Sequence, residues 1–228
     1  MTGQPRNHYI LPVPRTREQA RRYYDRLSGI YDIMAGSFER RYAMDTLARL
    51  SVQAGETVME IGFGTGHCLE RLAELVGDSG KARGADISPG MLNKTRRRLV
   101  KAGLSRRVEL SCADALELPW GDRTFDAVFM SFTLELFDTP EIPAVLDEVK
   151  RVLKPGGRFG AVSMSKEGKR SLMLRLYEWA HEKWPAYADC RPIYLADTMR
   201  DAGFTILTKE TADLFGLPVE MVTARIVD

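Results

Sequence analysis

Between residues 57 and 163 the chain alternates short apolar runs with stretches whose apolar positions recur every three or four residues. Segments 57–61, 82–86, 107–112, 125–131 and 157–163 read as strands, being short and set between helical stretches. Between them, Leu69, Leu72, Ala73 and Val76 stand at i, i+3, i+4 and i+7 and predict a helix over 68–76, with Gly77 just past its end. Ile142, Val145, Leu146, Val149, Val152 and Leu153 form the same stripe and predict helix 140–153, capped by Thr139 and opened by Pro140. Runs at 204–211 and 219–226 bring the strands to seven. Charged, aromatic-rich helices at 16–33 and 36–51 precede the first strand, and one at 172–184 follows the fifth. Alternating strands and helices predict an α/β fold, a doubly wound and mostly parallel sheet. The chain reads as a single domain, with residues 1–51 an arm and helical cover over a core at 52–228.

The first strand, Val58-Met59-Glu60-Ile61, stops at Gly62-Phe63-Gly64-Thr65-Gly66. Alternate glycines there make a tight turn at the carboxyl end of a strand, where open α/β sheets bind ligands and backbone N–H groups approach them without a Cβ in the way. A dinucleotide fingerprint demands Gly or Ala at position 67, which is His, and no phosphate-cradling G-x-x-x-x-G-K-[ST] run exists. What remains is E-x-G-x-G-x-G with an acid, Asp86, twenty-six positions after Glu60.

Further landmarks follow in order. Asp86-Ile87-Ser88-Pro89-Gly90-Met91 puts Ser88 at a helix N-cap and Pro89 at its first position. Cys112-Ala113-Asp114-Ala115 ends the third strand, Ser131-Phe132 ends the fourth, and Lys154-Pro155-Gly156-Gly157-Arg158 turns into the fifth. This set resembles the class I methyltransferases that bind S-adenosylmethionine, and more narrowly the ubiquinone/menaquinone biosynthesis C-methyltransferases. Tyr31-Asp32, Ala85-Asp86-Ile87, Leu118-Pro119 and Arg151-Val152-Leu153-Lys154 match as well.

The resemblance implies a Rossmann-like seven-stranded sheet whose last strand is antiparallel, with Gly216-Leu217-Pro218 as a hairpin-like turn before it. It implies S-adenosylmethionine as cofactor, held at Tyr31, Glu60, Gly62, Gly64, Thr65, Gly66, Asp86, Ile87, Met91, Asp114, Ala115 and Ser131. Glu60 would face the amino-acid end, Asp86 accept from the ribose hydroxyls, Ile87 and Met91 flank the adenine, and Asp114 accept from its amino group. Two segments depart from the quinone family. Thr133-Leu134-Glu135-Leu136 replaces Gly-Leu-Arg-Asn, an anion for a cation at the mouth of the site, and Asp189-Cys190-Arg191-Pro192-Ile193-Tyr194 replaces a phenylalanine- and proline-rich stretch.

Methyl transfer from a sulfonium joins an anionic nucleophile to a cationic donor, so charge disappears and a dry, weakly polar pocket helps without a metal. Tyr23, Tyr24, Tyr31 and Phe38 in the cover are candidates to face the sulfonium. For an acceptor that loses a proton, His181 or Glu135 are the candidate bases; His8 lies in the arm and His67 behind the glycine turn.

A formal charge of +2 is too small to imply nucleic acid. Lys94, Arg96, Arg97, Arg98, Lys101, Arg106 and Arg107 nevertheless fall in fourteen residues without an acid. They read as a solvated helix face, with contact to phosphate or an anionic membrane as the alternative. Cys68, Cys112 and Cys190 lack disulfide or metal-ligand spacing and point to a reducing cytoplasm, the first two as core residues and Cys190 as the one to watch for reactivity. Residues 1–17 lack the apolar stretch of a signal peptide. The leading expectation is a cytoplasmic methyltransferase acting on a small apolar or aromatic acceptor. C-methylation of a prenylated quinol at a membrane surface, a non-catalytic cofactor-binding module and a nicotinamide oxidoreductase are the alternatives. The acceptor atom and the oligomeric state are not encoded in any motif.

Overall fold

In the computed structural model, residues 10–13, 16–27, 36–167, 179 and 191–226 are described. Helices α1 (Arg17–Leu27) and α2 (Gly36–Leu50) precede β1 (Thr57–Ile61), α3 (His67–Val76), β2 (Lys81–Asp86), α4 (Pro89–Lys101), β3 (Val108–Cys112) and β4 (Phe125–Ser131). A short 3₁₀ turn at Leu134–Leu136 leads to α5 (Ile142–Val152), β5 (Leu153–Met164), α6 (Leu195–Asp201), β6 (Phe204–Leu214) and β7 (Leu217–Ile226).

The strands form one sheet in the order β3-β2-β1-β4-β5-β7-β6. Pairs β1–β2, β1–β4, β2–β3 and β4–β5 are parallel, while β7 runs antiparallel to both β5 and β6, as expected. The chain winds outward from β1 to β3 and returns to place β4 on the other flank of β1, so the switch point lies between β1 and β4. A crevice opens beyond the carboxyl ends of strands at such a point. Side chains alternate across the sheet: Met59 and Ile61 join one apolar layer with Val145, Leu146 and Val149 of α5, whereas Val58 joins the other with Leu69, Leu72 and Val76 of α3.

Local chemistry sets most boundaries. Ser88 Oγ accepts the Met91 N–H at 3.2 Å with Pro89 opening α4, and Gly77 at φ 66° ends α3. Several boundaries depart from expectation: β5 begins at Leu153, expected as the end of the preceding helix, rather than at 157, and β6 runs to Leu214 rather than 211. Helix α5 starts at Ile142 rather than Pro140, and Thr139 is no cap, because its hydroxyl accepts from Arg191 at 3.0 Å while the Asp138 carbonyl takes the Glu141 and Ile142 N–H groups. The hairpin turn before β7 is Phe215-Gly216, both at positive φ, and Leu217 and Pro218 already pair with Leu214 and Asp213. Cys68 is buried as expected, but Cys112 is exposed because β3 is an edge strand. Cys190, helix 172–184 and its His181 lie outside the described residues. No helix among the described residues is long and apolar enough to cross a membrane.

Candidate cofactor and acceptor site

The glycine turn is shaped more by the protein than by open space. A Cβ on Gly62 would meet Thr133 Oγ1 at 2.4 Å, and one on Gly66 would meet Thr95 Cγ2 at 2.5 Å. Gly64 alone of the three has open space around that position, and its φ of 50° is what demands glycine there. Its N–H donates to Asp86 Oδ2 at 2.8 Å, and its carbonyl accepts from Thr95 Oγ1 at 2.8 Å.

Two cavities meet at this turn, and Gly62, Gly64 and Ser131 line both. The larger, about 950 Å³ with its open mouth included, is also walled by Asp86, Ile87, Met91, Asp114 and Ala115. The smaller, about 500 Å³, is walled by Glu60, Thr65, His67 and the cover residues Glu39 and Arg40. Of the expected cofactor residues, then, ten line one cavity or both. Gly66 lines neither and serves helix packing instead, and Tyr31, like Phe38's side chain, lies outside the described residues. The cover's aromatic contribution to the larger cavity is Tyr24, against which Tyr23 packs edge-on at 5.4 Å.

Both carboxylates at the strand ends are buried. Asp86 holds the Gly64 and Ser88 N–H groups, each at 2.8 Å, yet burial still pushes its carboxyl up to about 6. Burial pushes Glu60 well above the usual carboxylate range; the Asp86 charge adds to this and a hydrogen bond from the Leu69 N–H opposes it. Glu60 Oε2 has no hydrogen-bond partner among the described residues, and a buried carboxylate oxygen left so is costly. An ammonium group entering the smaller cavity would satisfy it. A guanidinium for the accompanying carboxylate is at hand in Arg40, which meets His67 Nε2 at 2.6 Å. The donor set therefore fits S-adenosylmethionine: Glu60 would meet its amino-acid end and Asp86 its ribose, Ile87 and Met91 offer apolar flanks, and no lysine is among the described residues that line either cavity.

The cover closes the larger cavity through charges that no sequence motif announced. Arg17, at the start of α1, reaches Asp114 Oδ2 at 2.9 Å and Glu141 Oε1 at 2.8 Å. Asp114 Oδ1 accepts the Leu116 N–H at 3.0 Å. Farther along α1, Asp25 Oδ1 accepts the Gly90 N–H at 2.6 Å, docking the cover on the start of α4. Within the basic cluster, Arg98 is no solvated bystander: its Nε donates to the Thr65 carbonyl at 2.7 Å and it pairs with Glu70 at 3.3 Å.

Beyond Ser131 the cavity is walled by Phe132, Thr133, Leu136 and Phe137, with Val13 and Tyr24 from the cover. Glu135 is not there. It was expected at the mouth of the site, but it is fully buried on the other side of the 3₁₀ turn, where Oε1 accepts the Met164 N–H at 3.1 Å.

Known proteins agree with this geometry. The family described as "Methyltransferase domain" matches residues 58–157. The chain is 32% identical to the demethylmenaquinone methyltransferase of Symbiobacterium thermophilum over 86% of this chain and 84% of that protein. It is likewise 32% identical to the ubiquinone/menaquinone biosynthesis C-methyltransferase UbiE of Pseudomonas fluorescens, over 77% of this chain and 70% of that one. A SAM-dependent methyltransferase from Aquifex aeolicus superposes with a TM-score of 0.62 at 25% identity, covering 81% and 89% of the two chains. With the glycine turn, the strand-end acids and the paired cavities in place, the chain belongs to the demethylmenaquinone and ubiquinone/menaquinone biosynthesis C-methyltransferase family and is an S-adenosylmethionine-dependent methyltransferase.

Proposed function

We propose that this enzyme C-methylates a reduced, prenylated quinone. The observation that carries the reading is the apolar and aromatic wall beyond Ser131, formed by Phe132, Leu136 and Phe137 with Tyr24 opposite. A flat hydroquinone ring suits such a wall, and a polar or charged acceptor would lose hydration there without compensation. The Arg-to-Glu departure at position 135 does not speak against it, since the anion is turned into the protein and away from the acceptor.

Bound S-adenosylmethionine supplies an electrophilic methyl group on a sulfonium. The chain's part is to hold the acceptor carbon in line with that methyl and to exclude water, an arrangement worth roughly 7–11 kcal/mol of barrier. Held at Glu60, Asp86 and the glycine turn, the cofactor would supply a methyl that the ring carbon of the ionised quinol takes up as the methyl–sulfur bond breaks, and the ring proton would pass to a base. Because opposite charges cancel, an apolar wall favours the displacement. His181 keeps its place as a candidate base, whereas Glu135, facing the other way, is dropped.

The same reading places the enzyme in the cytoplasm at an anionic membrane surface. Arg96, Arg97, Lys101 and Arg106 are exposed beside Val100, which is 63% exposed, and they form none of the ion pairs found among the described residues. The experiment is turnover with a reduced demethylmenaquinone and S-adenosylmethionine, alongside complementation of a strain lacking its quinone C-methyltransferase. Methylation of the ring carbon and restored quinone are expected. Tight S-adenosylhomocysteine binding with no turnover of any quinol would leave the family assignment standing and defeat the proposal.

A further inference from the structure

Arg191 is a fully buried arginine in the segment that stands where the resembled family has a phenylalanine- and proline-rich stretch. Its backbone neighbourhood is tied to β5: Ile193 bridges Ser165 in parallel just past the strand's end, with Ile193 N–H to the Met164 carbonyl and Lys166 N–H to the Ile193 carbonyl, both at 3.0 Å. From this anchor the guanidinium crosses to the loop after β4. One terminal nitrogen donates to Thr139 Oγ1 at 3.0 Å and the other to the Phe137 carbonyl. The carboxylates of Glu135 and Asp138 supply the negative charge it faces.

The loop so held is the acceptor wall. Leu136 and Phe137 face the cavity, and Glu135, one residue earlier, is pinned to β5 through Met164. Asp138, one residue later, accepts the Val13 N–H at 3.0 Å, and Val13 belongs to the strap that closes the same cavity. Strap and wall therefore converge on one short stretch, residues 135–139. A planar fork that binds a carbonyl and a hydroxyl together fixes the orientation of that stretch, which a single flexible ammonium would not do. None of Arg191's hydrogen bonds goes to Glu60, Asp86, Asp114 or the glycine turn.

We propose that Arg191 is the positioning residue of the acceptor wall: it fixes Leu136 and Phe137, and through Asp138 the strap at Val13, and so sets acceptor affinity without touching the cofactor end. In this chain the cation that faces Glu135 is Arg191, from the segment after β5. The proposal rests on the methyltransferase reading for the meaning of the wall, and its test has one arm that needs no acceptor.

That arm is hydrogen–deuterium exchange on Arg191→Gln and Thr139→Val. The first removes the fork and the second only one of its partners, without burying an unbalanced charge. Faster exchange is expected over residues 10–13 and 134–139, with residues 60–66 unchanged and calorimetric affinity for S-adenosylhomocysteine within about twofold of the parent. The second arm measures turnover of a reduced naphthoquinone. Acceptor KM should rise about 10- to 100-fold in Arg191→Gln with a smaller change in kcat, and Arg191→Lys should recover part of the loss. Uniformly faster exchange, or a matching loss of S-adenosylhomocysteine affinity, would reduce Arg191 to a general stabiliser and overturn the proposal. If the parent fails to turn over any quinol, the acceptor assignment falls while the exchange arm still decides the role of Arg191.

Discussion

Arg17 and Asp114, ninety-seven positions apart in the chain, meet at 2.9 Å across the mouth of the larger cavity. The same guanidinium also reaches Glu141 at 2.8 Å, so one side chain ties the cover to two segments that line the site.

Arg17 is 44% exposed, and exposed pairs contribute little to folding. Arg17→Ala is therefore expected to cost less than about 1 kcal/mol of stability. Its effect belongs in kinetics: stopped-flow release of S-adenosylhomocysteine should accelerate roughly 3- to 10-fold, and the parent's release should quicken with salt while the variant's does not. An unchanged release rate would mean that the latch does not gate the cavity.

Asp86 gives the site a pH signature. Its folded value of about 6 lies above the ordinary 3.8, so between these values the folded state keeps a proton that the unfolded chain has shed. This group's contribution to stability is fully present at low pH and is lost as pH rises through that window. Ligand binding runs the other way, because ribose hydroxyls need the ionised carboxylate as acceptor. Affinity for S-adenosylhomocysteine should be level above about pH 7 and fall about tenfold per pH unit below about 6. Asp86→Asn should flatten the profile and weaken binding; a parent profile without the break would falsify the ribose role.

Burial, and after it the Asp86 charge, push the Glu60 carboxyl well above the usual carboxylate range. An ammonium placed against Oε2 favours the ionised form, so binding should expel a proton. Calorimetry with S-adenosylhomocysteine in two buffers of different ionisation enthalpy should detect net proton release on binding. In Glu60→Gln that release should vanish.

Glu220, on β7, is a buried anion with a purely architectural duty. Oε2 accepts from Ser165 Oγ and the Leu195 N–H, and Oε1 accepts from the Ala196 N–H, each at 3.1 Å, with Lys209 at 3.5 Å. Glu220→Ala leaves the Ser165, Leu195 and Ala196 donors without their acceptor, while Lys209 keeps Glu167 at 2.5 Å, and should cost about 3–5 kcal/mol in denaturant unfolding. A loss below about 1 kcal/mol would show that water replaces the carboxylate there.

Much of this protein was legible in its order of residues. The seven strands, the glycine turn after Glu60, the acids at the ends of β2 and β3, and the Ser88 cap all follow from periodicity and turn chemistry, which act over a few residues. Such signals are short-ranged and survive in one dimension. The direction of Glu135 was not legible: its charge suggested solvent, yet the 3₁₀ turn rotates it onto the Met164 N–H of a strand twenty-nine positions away. The start of α5 was missed for a related reason, since Thr139 gives its hydroxyl to Arg191, fifty-two positions later. Exposure of Cys112 depended on which strand became the sheet edge. The sequence by itself determined the elements and the residues gathered around the glycine turn. Only the tertiary structure decided the acceptor wall, the Arg17 latch and the Arg191 anchor, because each is a hydrogen bond or ion pair between residues whose separation along the chain leaves no periodic trace.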